Sequence, residues 1–148
     1  MNVQDLPEAL LVYIDMFNNG RFFESHEVLE GAWLENSSDF YQGLIIYAAA
    51  YVKRDWGNPR GVVRNFNKAL NYLRKYRPAY LGLDVAFLVD HAEKCLAALA
   101  HAQPAAGDAA GGAAGDGAGD PAATLQRLVP SVRLEPAAHL IQGNEPEL

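Results

Sequence analysis

Between Phe40 and Val52 every residue is apolar, aromatic or glycine, with the single exception of Gln42. Read as a helix, this stretch has no polar face, so it must be packed on nearly all sides and other helices must surround it. Its longest apolar run, the nine residues from Leu44 to Val52, falls well short of the roughly 20 needed to span a bilayer. The expected fold class is all-α: a helical bundle with one central apolar helix surrounded by others.

Punctuation along the chain supplies the surrounding helices. Asp5 can cap a first helix with Pro7 in its opening turn; this helix carries Leu10, Tyr13, Met16 and Phe17 and stops at Asn18-Asn19-Gly20. A second runs from Phe22 to about Glu35, and Asn36-Ser37-Ser38-Asp39 provides the turn and cap for the third, Phe40 to about Asp55. Trp56-Gly57-Asn58-Pro59 reads as a helix stop, an N-cap and a proline at the first helical position of a fourth helix, which reaches Tyr76. Asp84 can cap a fifth, with Val85, Leu88, Val89, Ala92, Leu96 and Leu99 as its buried stripe. Residues 1–102 thus form the bundle domain. Residues 103–123 hold only Ala, Gly, Asp, Pro and one Gln, the composition of a flexible linker. Residues 124–148 regain apolar side chains, interrupted by Pro130 and Pro136, and are expected to dock in an extended form, on their own bundle or on a neighbouring chain.

A chain of 148 residues with 50% hydrophobic composition suits one domain with a real core. The single cysteine, Cys95, excludes an intramolecular disulfide and flanks the apolar stripe of the fifth helix, where no basic or histidine side chain is expected to activate it. With no basic stretch leading into an apolar run at the N-terminus, the expected location is the cytoplasm, with no membrane partner. The net charge of −6 hides a basic segment. Eight of the twelve Lys and Arg residues lie between Lys53 and Arg77, where Asp55 is the sole acid. Periodicity puts Arg64, Lys68, Asn71 and Lys75 on one side of helix four and apolar residues on the other, the pattern of a solvated face. The acidic remainder argues against nucleic acid as a partner.

The candidate site lies in helix two. His26, Glu30 and Trp33 stand at i, i+4 and i+7 and share one face, together with Phe22, Phe23 and Leu29, while Glu24, Glu27, Gly31 and Glu35 point away. An imidazole and a carboxylate therefore occupy positions where apolar residues belong. Burying an unpaired carboxylate costs several kcal/mol, so the pair must be hydrogen-bonded, ionically matched or bound to something. Gln42, the lone fully polar side chain of the central helix, needs partners too and is expected to face helix two. His26-Glu27-x-x-Glu30 is a weak echo of the H-E-x-x-H zinc motif, with glutamate replacing the second histidine. Imidazole plus carboxylate would suit zinc, manganese or iron, with His26 and Glu30 as the metal ligands. The other histidines fall on an outer face (His91), at a helix end (His101) and in the tail (His139), so further ligands would come from another helix or from water.

Taken together, Asn18-x-Gly20-x-Phe22-Phe23-Glu24-x-His26-Glu27-x-Leu29-Glu30-x-x-Trp33, followed by Gln42-Gly43-Leu44-Ile45 and Gly57-Asn58, resembles the bacterial and archaeal domain of unknown function 309 over about Leu10 to Leu96. The resemblance implies an all-helical domain built around a central helix, with a signature associated with metal binding that His26, Glu30 and Trp33 match one for one. No reaction comes with the family.

Three readings follow. The first is a metal- or small-ligand-binding site between helices two and three, made of His26, Glu27, Glu30, Trp33, Gln42 and Asn58. The second is a non-enzymatic scaffold that binds a protein, or forms a homo-oligomer, while His26, Glu30 and Gln42 make a purely structural network. In the third, a metal-assisted hydrolase, Glu27 or Glu30 is the general base, since none of the four serines has a nucleophile-elbow context.

Overall fold

Residues 2–109 and 121–142 are described by the computed structural model, and they form seven helices and one small hairpin. The order is α1 (Glu8–Asn18), α2 (Phe22–Asn36), α3 (Asp39–Asp55), α4 (Pro59–Leu73), β1 (Ala79–Tyr80), β2 (Leu83–Asp84), α5 (Val85–Ala109), α6 (Pro121–Leu128) and α7 (Ala138–Gln142). This is the all-α bundle that the apolar stretch requires.

Helix α3 is its axis. Phe40, Leu44, Tyr47, Ala48, Ala50 and Tyr51 are wholly buried, and α3 packs against α4, α2 and α6. Local chemistry sets its ends: Ser37 closes α2 in the left-handed region (φ +54°), and the Ser38 hydroxyl accepts from the Tyr41 amide at 3.2 Å. On the α4 side the approach is close because Gly43 has no side chain; a Cβ there would lie 2.7 Å from Leu73 Cδ2. Buried rings fill the opposite side, with Phe22 stacked on Tyr51 at 4.9 Å and Phe17 edge-on to Tyr51 at 5.4 Å.

Several boundaries differ from the sequence reading. Asp5 does not cap α1; it accepts from the Asn2 amide in a 3-10 turn, Val3–Asp5, and Pro7 stands at the N-cap. The fourth helix tightens into a 3-10 turn at Arg74–Tyr76. Tyr80-Leu81-Gly82-Leu83 is a hairpin whose two turn residues both have positive φ, +48° and +79°, a geometry that suits a two-residue connection. Strands of two residues are too short to show alternation, so periodicity could not reveal them. Helix α5 continues through residues 103–109, inside the expected linker, and α6 begins at Pro121; the linker residues 110–120 lie outside the described residues, as do tail residues 143–148. The tail docks on its own bundle: α6, an irregular stretch over residues 129–137, and α7 place Leu125, Val129, Leu134 and Ile141 in buried positions. Among the described residues no helix is long and apolar enough to cross a membrane.

Candidate functional site

Helix α2 buries Phe22, Ser25 and Leu29 and exposes Phe23, Glu24, Glu27, Glu30, Gly31, Leu34 and Glu35. At about 100° per residue, His26 and Trp33 fall on the margin between these faces, and Glu30 lies one step further toward solvent. His26 and Trp33 are accordingly half-buried, with Trp33 packed against the core.

Glu30 is exposed, which corrects the expectation of a buried imidazole-carboxylate pair. A carboxylate at the solvent edge keeps its hydration, so the burial penalty that seemed to demand a partner never arises. Among the described residues His26 and Glu30 share no ion pair or hydrogen bond, and the expected His26-Glu30-Gln42 network is not formed. Gln42 is half-buried, on the same strip of α3 as the half-buried Ala49 seven residues on. Glu27 is exposed on the outer side of α2. Asn58 is committed elsewhere, because its Oδ1 accepts from the Gly61 amide at 2.9 Å and caps α4.

His26 keeps an unusual environment. Its Nδ1 is sealed from solvent and has no hydrogen-bond partner, and the Phe23 ring stacks on the imidazole with centroids 5.9 Å apart. Leaving a buried polar atom unsatisfied costs about 1–3 kcal/mol. Among the described residues no hydrogen bond fixes the ring in its present orientation. Among the described residues no three His, Cys, Asp or Glu side chains form a metal-ready group, so His26 and Glu30 would hold a cation with water completing its shell.

A second polar cluster lies beneath the tail and was not foreseen. Arg54 is only 6% exposed; its guanidinium lies 5.1 Å from the Tyr51 ring and 5.4 Å from that of Phe22. It pairs with Asp55 at 2.9 Å and donates from Nη1 to the Val129 carbonyl (3.0 Å) and Ser131 Oγ (2.8 Å). The Pro130 carbonyl accepts from the Tyr51 hydroxyl at 3.2 Å and from His91 Nε2 at 2.9 Å. His91 is therefore half-buried rather than on an open face, and burial lowers its pKa against the opposing pull of that hydrogen bond. Its Nε2 lies 3.4 Å from Cys95 Sγ, so a histidine does stand beside the thiol. Burial still dominates and pushes the Cys95 pKa up to about 11, Arg54 countering in part. The signal for Arg54 was its spacing: it follows Tyr47 and Tyr51 by seven and three residues, on the buried stripe of α3.

A cavity of about 410 Å³ opens between the hairpin, α5 and the tail, lined by Leu83, Phe87, Leu88, Leu134 and Leu140 with Arg133 among the polar groups around it. On α4 and the 3-10 turn that follows it the expected basic face is exposed, with Lys75 tied to Asp39 (2.6 Å) and Arg74 to Glu93 (2.8 Å).

No curated protein matches the chain. The model of DUF309, described as a domain of unknown function, matches residues 10–65, from α1 into α4, a shorter span than the Leu10 to Leu96 expected. That segment holds the α2 site and all of the central helix, and over it the chain is similar to the DUF309 family.

Proposed function

We propose that the domain binds a ligand at the solvent edge of α2, with His26 and Glu30 as a two-point grip one helical turn apart and Phe23 and Trp33 as its apolar walls. The observation that carries this reading is the unpartnered, sealed Nδ1 of His26. A side chain kept at a stability cost, with no hydrogen bond to hold it among the described residues, can turn outward toward a ligand. Glu30 is exposed and free to meet it. A divalent cation is the simplest ligand for imidazole plus carboxylate, and zinc, manganese and iron fit that donor set. No reaction is assigned to the site; a metal-assisted hydrolysis would need the cation first.

Thermal melts of untagged protein with each of zinc, manganese, iron and nickel test the proposal. A cation at 100 times its Kd stabilises the native state by about 2.7 kcal/mol. An increase in Tm in the wild type that disappears in Glu30→Gln and His26→Leu is the expected result. No change with any of the four ions removes the metal from the reading.

Protein docking on the same helix is the second reading. Phe23 and Leu34 are 50% and 71% exposed and share the strip of α2 that carries Glu27 and Glu30, an apolar strip with an acidic rim that fits a basic, amphipathic partner. Binding to such a partner that survives His26→Leu and fails in Phe23→Ser with Leu34→Ser separates it from the first.

A further inference from the structure

The tail is held in a way that differs from the rest of the core. From Val129 to Ala137 the bundle reads mainly its backbone: Arg54 takes the Val129 carbonyl, Tyr51 and His91 take that of Pro130, and the Gly82 carbonyl accepts from the Ala137 amide at 2.9 Å. Asn18 engages both groups of Leu134, donating from Nδ2 to its carbonyl (2.9 Å) and accepting from its amide at Oδ1 (2.7 Å). This is the pairing that a neighbouring strand would make, supplied by one amide side chain.

Side-chain selection is confined to a few positions. Val129 and Leu134 are buried and Ser131 Oγ meets Arg54, whereas Pro130, Arg133 and Glu135 are exposed. The groups that do the reading sit on α1, α3, the hairpin and α5. None of them belongs to the tail.

We propose that this groove is an exchangeable docking site, and that its other occupant is the tail of a second copy of this chain. The two bundles then form a dimer in which a partner's residues 129–137 lie across the groove. A second copy carries the identical segment, with the same buried pair five residues apart, the same hydroxyl and the same carbonyls, so every contact made within one chain is available between two. The intramolecular contact prevails in dilute solution, and exchange grows with protein concentration.

Two full-length variants test the exchange. The first, Val129→Asp with Leu134→Asp, has an intact groove and a tail that cannot dock. The second, Asn18→Ala with Arg54→Ala, has an intact tail and a groove stripped of its main readers. Light scattering behind size-exclusion chromatography is expected to show each alone as a monomer and an equimolar mixture as a heterodimer. A mixture that stays as two monomers overturns the proposal. If either variant is unfolded alone, mixing must restore a cooperative thermal transition; failure to restore it is equally fatal. A synthetic peptide of residues 124–142 that binds the first variant while the mixed chains stay apart would make the groove a site for free peptides and overturn exchange between copies.

Discussion

The Tyr47 hydroxyl donates to the Leu88 carbonyl at 3.0 Å, tying the central helix α3 to α5 through the one polar atom that the ring brings into the core. Two more buried tyrosines repeat the device. Tyr13 on α1 donates to Leu44 on α3 at 2.7 Å, and Tyr51 on α3 reaches the tail at Pro130. Burial raises the pKa of all three, so each stays neutral and keeps the proton it donates. Tyr47→Phe keeps the packing and removes the donor, and it is expected to lower the unfolding free energy by about 0.5–1.5 kcal/mol in urea titration.

Two glycines separate packing from propensity. In Gly43→Ala the new methyl meets the wholly buried Leu73 at 2.7 Å and Tyr72 Cβ at 3.0 Å; overpacking of this kind costs about 1–3 kcal/mol. Gly31 sits in the exposed middle of α2 with nothing within 4 Å of an added Cβ. Gly31→Ala is expected to raise stability by about 0.5–1 kcal/mol, because alanine gives up less backbone entropy in a helix. Parallel urea melts of the two variants check both signs.

His91 gives the fold a pH dependence. Its folded pKa is depressed by burial, so below the unfolded value of about 6.5 the unfolded chain binds more protons than the folded one. The contribution is fully present above that pH and is lost as pH falls through the lowered folded value. Stability measured from pH 8 down to pH 5 should decline less steeply in His91→Gln than in the wild type, other titrating groups being common to both.

The Cys95 thiol, buried and raised to about 11, is expected to react with a disulfide reagent at pH 8 much more slowly in the folded protein than in guanidinium. A reaction as fast as that of the unfolded chain would contradict this protection of the thiol.

The fold was legible where one signal dominated. An apolar stretch with a single polar residue left no alternative to a central helix, and Asn58-Pro59 and Ser37-Ser38 marked the start of α4 and of α3. The hairpin escaped because two-residue strands have no period to read, and the tail's path escaped because backbone carbonyls, not side chains, are what Arg54, Tyr51 and His91 recognise. At the candidate site the helical spacing placed His26, Glu30 and Trp33 along one edge of α2. It did not settle how deep that edge lies. Glu30 is only one step of about 40° beyond His26 around the helix, and that step carries it from the half-buried margin into solvent.

Urea unfolding of His26→Leu beside the wild type, each with and without zinc, tests the central claim most directly. If His26 is kept for a ligand at the cost of an unpartnered nitrogen, the variant without zinc is more stable than the wild type by about 1 kcal/mol, and zinc stabilises only the wild type. A variant less stable than the wild type, with zinc changing neither, would show that the imidazole serves packing alone and would contradict the account.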